Sequence, residues 1–373
     1  MSDTLNGLLV VALEQAVAAP LCSSRLAEAG ARVIKIERPG GDFTRHYDAV
    51  AHGESAYFVW TNRGKESVIL DLKAPDDRAL MGRLMERADI FIQNLGPGVA
   101  RRLGFGADDW RKRRPELITC DISGYGESGD YAAMKAYDLL VQAETGLASI
   151  TGTADGMGRV GVSVCDIGAG LNAYGAILEA VIRRTKTGEG AGIKVSLFDG
   201  MADWLTVPLL HYDCGGAAPE RVGLHHASIA PYGAYPYREG KVLVAVHNDR
   251  EWETFAKRVL EKEALAKDPR FATNVARVKN RPALDEEIGA VFTTLDRAAV
   301  IARLEAAKVA YGMINDMAGL SAHPQLRRIT VETPTGPVEM PAPPALWAGH
   351  AAKPGPVPAP GQHTRAIRRE FSE

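Results

Sequence analysis

Residues Leu8–Glu37 read LLVVALEQAVAAPLCSSRLAEAGARVIKIE. Leu8–Leu13 is an uninterrupted apolar run, the mark of a strand buried on both faces. A turn over Gln15–Pro20 and a helical stretch over Leu21–Ala29 follow. Gly30 then stands where a helix ends in left-handed backbone. Arg32–Glu37 returns to apolar, β-branched residues. Strand, helix and strand in this short span make a βαβ crossover, which sets the two strands parallel in one sheet.

Outward from this unit the pattern repeats. Strands are expected at Ser67–Leu72, Ile90–Gln93, Leu117–Ile122 and Ile193–Leu197, with helices over Pro75–Arg87 and Gly168–Thr185. The fold class is α/β, with an open Rossmann-like sheet in a large domain over 1–200. Residues 201–224 end in a run of small residues, Cys214–Pro219, and read as a linker. Pro231–Val246 suits a hairpin, while Glu251–Leu260 and Ala283–Ala307 suit helices, so 225–325 form a smaller α+β domain. The Pro- and Ala-rich tail Pro341–Pro360 reads as extended and Gln362–Phe371 as a closing helix. Residues 330–373 are expected to return to the large domain.

The 373 residues carry a formal net charge of -2, which gives no electrostatic reason to bind nucleic acid or an anionic membrane surface. No apolar run approaches the roughly 20 residues that span a bilayer. The cysteines, Cys22, Cys120, Cys165 and Cys214, form no CxxC pair and no zinc-like cluster with histidine. The expectation is a cytoplasmic protein with reduced thiols, no metal, no nucleic acid and no membrane.

Three features bear on chemistry. Asn94-Leu-Gly-Pro-Gly98 follows a predicted strand and precedes a helix-like segment, so its amides either cradle an anion or simply make a turn. Basic residues gather near strand ends: Lys35, Arg38, Lys73, Arg101 and Arg102. The run Arg111–Arg114 reads better as a solvated helix face. Val160–Gly170 reads VGVSVCDIGAG. Asp166 closes an apolar run and is followed by small residues. It is either the N-cap of the next helix or a partly desolvated, approachable nucleophile. No serine-hydrolase elbow, dinucleotide fingerprint or phosphate-binding GK[ST] loop is present.

Taken together, these segments resemble the class III CoA-transferases, the family that includes formyl-CoA:oxalate CoA-transferase and α-methylacyl-CoA racemase. The resemblance runs along nearly the whole chain. It includes Gln15–Pro20, Val33–Arg38, Asn62–Ser67, Leu70–Lys73, Asn94–Gly98, Tyr137–Gln142, the Asp166 segment, Lys186–Gly190 and Ser228–Tyr232. Asp42–Arg45, Tyr57–Trp60 and Tyr137–Glu144 look like the branch that handles mesaconate, itaconate, malate or citramalate.

The resemblance implies a CoA-transferase that uses coenzyme A thioesters as cosubstrate, with the nucleophile at Asp166. It implies CoA contacts at Val17, Arg38, Leu70, Asn94, Arg102, Leu103 and Lys135. It also implies a homodimer of two interlocked subunits. Arg45 is the candidate cation for an acid's distal carboxylate, and Tyr137 is a second substrate contact. The family's racemases carry a His where this chain has Tyr137, whose hydroxyl, with a pKa of about 10, is a poor base at neutral pH. That favours transfer over racemisation. Transfer between the two ends of mesaconate, an α-methylacyl-CoA racemase and a CoA-binding protein without turnover are the other readings. The glycine-rich loop that shields intermediates in formyl-CoA:oxalate transferases has no counterpart at His226–Tyr232, which reads HASIAPY.

Overall fold

The structure, a computed structural model, describes residues 3–349 and 354–372. Part of the expected extended tail, 350–353, lies outside the described residues. The chain begins with β1 (Leu9–Leu13), α1 (Ala18–Glu28), β2 (Arg32–Glu37), a 3₁₀ turn (Phe43–His46), α2 (Ala56–Asn62), β3 (Lys65–Ile69) and α3 (Pro75–Arg87). Next come β4 (Ile90–Gln93), α4 (Val99–Arg102), α5 (Ala107–Arg113), β5 (Ile118–Ser123), α6 (Asp138–Glu144), α7 (Leu147–Ile150) and the short pair β6 (Gly152–Thr153) and β7 (Gly156–Met157). Then follow α8 (Val164–Thr187), β8 (Gly192–Ser196), α9 (Leu197–Trp204) and α10 (Thr206–Gly215).

Six strands form one sheet in the order β3-β2-β1-β4-β5-β8. Every neighbouring pair is parallel. Val10, Val11 and Ala12 of β1 are fully buried, as a central strand covered on both faces requires. The strand order reverses direction between β1 and β4, and open α/β sheets bind ligands in the crevice at the carboxyl ends of such strands.

Two boundaries differ from the sequence reading for identifiable reasons. α1 starts at Ala18, not Leu21, because Pro20 falls in the first turn, where a missing N–H is free of cost. β3 starts at Lys65, not Ser67. Its ammonium is fully buried and donates to Glu14 Oε1 at 2.7 Å, Pro20 O at 2.9 Å and Asn62 Oδ1 at 3.1 Å.

α8 packs along α1, β5 and β8. It is long and apolar enough to cross a membrane by length and composition, yet it serves here as a core helix. A Cβ added at Gly170 would stand 2.6 Å from Ala18 O, so glycine sets the α1–α8 approach. Gly175 has nothing within 4 Å of that position. Gly170→Ala therefore costs about 1–2 kcal/mol, because backbone cannot yield as a side chain can. Gly175→Ala gains up to about 1 kcal/mol of helix propensity. Urea midpoints of the two variants are expected to move in opposite directions.

The chain divides into two compact units. One comprises Met1–Gly146, Val160–Thr206 and Arg327–Glu373, the other Leu147–Arg159 and Val207–Leu326. The segment 201–224 is helical through the end of α9 and through α10, and the small residues Gly216–Pro219 follow. Leu147–Arg159 belongs to the smaller unit because Arg221 holds it, donating to Thr153 O at 2.9 Å and Ser149 O at 3.0 Å.

The smaller unit adds β9 (Tyr232–Tyr237), β10 (Gly240–Ala245), α11 (Asp249–Thr254), α12 (Asn274–Lys279), α13 (Arg281–Phe292), α14 (Arg297–Ala307) and β11 (Ala310–Met313). The three strands form an antiparallel sheet over a core containing Trp252, Phe255, Phe271 and Phe292. The single helix expected over Ala283–Ala307 is two, because Asp296 caps α14 through the Ala299 amide.

The last segment returns to the large unit. α15 (Met317–Ser321) precedes the hairpin of β12 (Arg328–Thr333) and β13 (Gly336–Pro341), and α16 (Thr364–Glu370) closes the chain. Ser67 N donates to His363 Nδ1 at 3.1 Å and Ile69 N to Thr364 Oγ1 at 3.0 Å. The tail thus covers the exposed edge of β3, which would otherwise invite pairing with another chain.

Candidate active site

The carboxyl ends of β1 and β4 are strapped together by one side chain. Asn94 Oδ1 accepts from Gln15 N at 2.9 Å, and its Nδ2 donates to Gln15 O at 2.8 Å. Asn94 therefore shapes the crevice through Gln15. Ala16 beside it has a φ of 64°, and its amide lies 3.4 Å from Asp42 Oδ1. Val17 follows as the N-cap residue of α1 and is buried.

The other residues predicted to meet CoA are placed as follows along the chain. Arg38 is exposed just past β2, with its Nε 3.3 Å from Gly41 O. Leu70 is buried just past β3, and Leu103 is half-buried after α4. Arg102 is exposed and lies over the glycine turn, 3.4 Å from Pro97 O. Gly98, at a φ of 70°, caps α4 without a side chain. Lys135 is exposed shortly before α6, and Tyr137 is 63% exposed as that helix's N-cap. In the 111–114 run, Arg111, Arg113 and Arg114 pair with Asp108, Glu86 and Glu116.

Arg45 is not a free cation. Its Nε and Nη2 bind both oxygens of Glu37 at 2.8 and 2.7 Å, and Nη1 donates to Pro358 O at 3.2 Å. Its guanidinium carbon lies 3.6 Å from the centre of the Phe58 ring. A planar fork held on three sides has no face left for a substrate carboxylate. The expected distal-carboxylate contact is corrected accordingly.

Under the crevice lies a buried ion network. Lys35 Nζ reaches Asp42 Oδ2 at 2.9 Å and Glu14 Oε1 at 3.5 Å, with all three side chains fully buried. Burial alone would lower the Lys35 pKa, but the carboxylates of Asp42, Glu14 and Glu37 outweigh it and the net shift is upward. For Lys65 burial wins over Glu14, and its pKa falls to about 8. Asp42 also caps the 3₁₀ turn by accepting from Thr44 N at 3.0 Å.

That turn delivers Tyr47, a residue the sequence reading passed over. Its ring meets Tyr57 edge-on at 5.5 Å and Phe43 at 5.7 Å. Burial raises its hydroxyl pKa, and the nearby charges or hydroxyls of Asp42, Tyr137, Asp166 and Tyr57 raise it further.

Asp166 is not the N-cap of α8. Ser163 holds that place and makes no side-chain capping bond, which puts Asp166 at the third helical position. The helix is capped from a distance. Asp138 Oδ1, on α6, accepts from Cys165 N at 2.8 Å and Asp166 N at 3.3 Å. The Asp166 carboxylate accepts no hydrogen bond among the described residues. Burial first, and the charge of Asp138 second, raise its pKa to about 7. Gly168 leaves Trp204 as the nearest wall, since a Cβ there would sit 3.4 Å from its ring. The neighbouring Cys165 thiol is pushed up to about 12 by burial and by Asp138 and Asp166, so it stays protonated and does not compete as nucleophile.

Among the described residues no group of three or more His, Cys, Asp or Glu side chains is placed to share a metal ion. The family model described as CoA-transferase family III matches residues 5–364. The chain belongs to that family.

This family III CoA-transferase is 35% identical over 373 residues to the acetyl-CoA:oxalate CoA-transferase of Acetobacter aceti, covering 98% of this chain and 95% of that one. It is 36% identical over 314 residues to the succinyl-CoA:mesaconate CoA-transferase of Haloarcula hispanica, covering 81% and 78%. Among solved structures, a CaiB/BaiF family protein from Brucella suis matches with a TM-score of 0.84 and 34% identity, over the full length of both chains. The transferase is thus an enzyme whose substrates are CoA thioesters and carboxylic acids.

Proposed function

We propose that this transferase moves coenzyme A from an acyl-CoA to a C4–C5 dicarboxylate through covalent intermediates on Asp166. The observation that carries the reading is a half-buried carboxylate at a helix start whose amides are taken by another residue, which leaves it basic and unbonded.

The steps balance as follows. An Asp166 oxygen adds to the thioester carbonyl, the C–S bond breaks and CoA leaves as thiolate, giving a mixed anhydride. The thiolate attacks the aspartyl carbonyl, the anhydride C–O bond breaks and the donor acid leaves as carboxylate. The acceptor carboxylate then attacks the aspartyl thioester and expels the thiolate. Re-attack of the thiolate on the acceptor's carbonyl yields the new acyl-CoA and frees Asp166. No ATP is needed, because thioester energy is conserved throughout.

Arg38, Arg102 and Lys135 are exposed cations suited to CoA phosphates, while Val17, Leu70, Leu103 and the Asn94 strap shape its apolar path. With Arg45 held by Glu37, the hydroxyls of Tyr47 and Tyr137 are the donors proposed for the acid. The C4–C5 dicarboxylate assignment draws on mesaconate and citramalate in the names of two relatives. The proposed homodimer draws on the exposed apolar surface: Leu139, Leu140 and Trp204 are each at least 45% exposed in the large unit. In the smaller unit α10 buries none of its residues, and Val207, Leu210 and Tyr212 are more than half exposed.

A substrate panel tests the reading. Succinyl-CoA, acetyl-CoA and mesaconyl-CoA are each offered with malate, mesaconate, itaconate, citramalate, oxalate or carnitine. Turnover is expected with C4–C5 dicarboxylates. Carnitine as the preferred acceptor would refute the acid assignment. Deuterium entering the α-carbon of an α-methylacyl-CoA from heavy water, without any acceptor, would replace transfer by racemisation.

A further inference from the structure

A helix normally satisfies its first free amides with its own N-cap side chain, and an acid at the third position reaches back to the N-cap amide. In α8 neither happens, since Ser163 makes no capping bond. The acceptor comes from Asp138, 28 residues upstream of Asp166. Asp138 is itself held in place. Its Oδ2 accepts from Gln142 Nε2 at 2.7 Å, and Gln142 Oε1 accepts from Val160 N at 2.9 Å. Gln142 is fully buried. A chain of hydrogen bonds thus runs from the segment before α8, through α6, to the start of α8.

The arrangement has two consequences. The positive end of the helix is already met by one carboxylate, so it does not draw in the second. That first carboxylate also stands beside Asp166 as a like charge. Among the described residues, Cys165 on its own helix and Tyr47 beyond the 3₁₀ turn also feel the charge of Asp166. Both have pKa values raised above their ordinary range and are neutral around pH 7. Asp138 is therefore the charge that Asp166 meets.

We propose that Asp138 is a positioning residue of the transfer reaction: its carboxylate occupies the amides at the start of α8 and so leaves the Asp166 carboxylate unbonded for attack. The proposal rests on the reading of Asp166 as nucleophile.

The test measures single-turnover release of CoA thiolate from succinyl-CoA, across pH, in the full-length enzyme. Asp138→Asn keeps an acceptor for the Cys165 amide but removes the charge. The acid limb of the release rate is expected to move down by about one pH unit. The rate on the alkaline plateau is expected to fall several-fold, because a less basic carboxylate is a weaker nucleophile. The new amide faces the Gln142 donor, so a second variant, Asp138→Asn with Gln142→Glu, restores a donor–acceptor match along the chain. It is expected to show a smaller shift in the same direction, because the Gln142→Glu change returns a carboxylate one hydrogen bond farther from Asp166, with thermal stability near that of the wild type.

An acid limb that stays in place in both variants overturns the proposal. So does a uniform loss of rate at every pH that tracks loss of folded protein, which marks Asp138 as a structural cap alone. Failure of the underlying reading is distinct: Asp166→Asn would then release thiolate as fast as the wild type.

Discussion

Asp166→Asn is expected to lower CoA transfer by at least about 10³-fold while raising stability above neutral pH. An amide cannot open a thioester to an anhydride, so only binding and orientation remain. The stability half follows from the same environment. Asp166 has a pKa raised to about 7 in the fold, against an unfolded value of 3.8. Below pH 3.8 both states hold the proton and the group contributes no difference. Between the two values the folded state alone holds it, so wild-type stability falls as pH rises through that window. Above pH 7 the cost is complete, about 2–4 kcal/mol once partial exposure is allowed for. The Asn variant lacks this cost. Its gain in melting temperature is expected at pH 8 and to vanish near pH 3.5, while activity is lost throughout. A helix-capping aspartate would behave in the opposite way, losing stability at pH 8 on replacement. Hydroxylamine trapping with mass spectrometry supplies the chemical check: the wild type, exposed to acyl-CoA, is expected to carry a hydroxamate at residue 166. A variant that loses stability at pH 8 and keeps its turnover would overturn the nucleophile assignment.

What the sequence made legible followed from local rules. Leu9–Leu13 was readable as a strand because a buried parallel strand is a continuous apolar run, and Arg32–Glu37 because of its β-branched residues. Pro75–Arg87 was readable as a helix because Pro sits at its first position and acids fill its first turn. Asp166 stood out by the small residues after it. What stayed hidden depends on distant pairings. Nothing near Arg45 shows that Glu37, at the end of β2, fills its guanidinium fork. Asp138 lies inside the quoted Tyr137–Gln142 segment, but its reach to the start of α8 is a tertiary fact. Tyr47 carried no motif, and only the Asp42 cap on its turn aims it. The β12–β13 hairpin had a readable signal in Pro334-Thr335-Gly336, obscured by the Pro-rich stretch that follows.

Lys35→Met is expected to cost about 3–5 kcal/mol, the typical penalty for removing one partner from a buried ion set. The two groups left behind decide the size. Asp42 loses its 2.9 Å ammonium contact, and Glu14 keeps Lys65 and the Ser23 hydroxyl, each at 2.7 Å. Both carboxylates are fully buried, and their lowered pKa values depend on these lysines outweighing burial. Methionine fills the volume with little cavity, so the loss is electrostatic rather than steric. The effect extends beyond stability, because Asp42 caps the turn that carries Tyr47 and meets the Ala16 amide at the switch point. A loosened Asp42 shifts both walls of the crevice. A lower urea midpoint is therefore expected together with a KM for acyl-CoA raised several-fold, measured where the variant is still fully folded. Gly175→Ala, which is expected to stabilise α8, serves as the background that offsets part of the stability loss without restoring KM. A Lys35→Met enzyme with wild-type KM in that background would show that the network supports the sheet alone and leaves the crevice untouched.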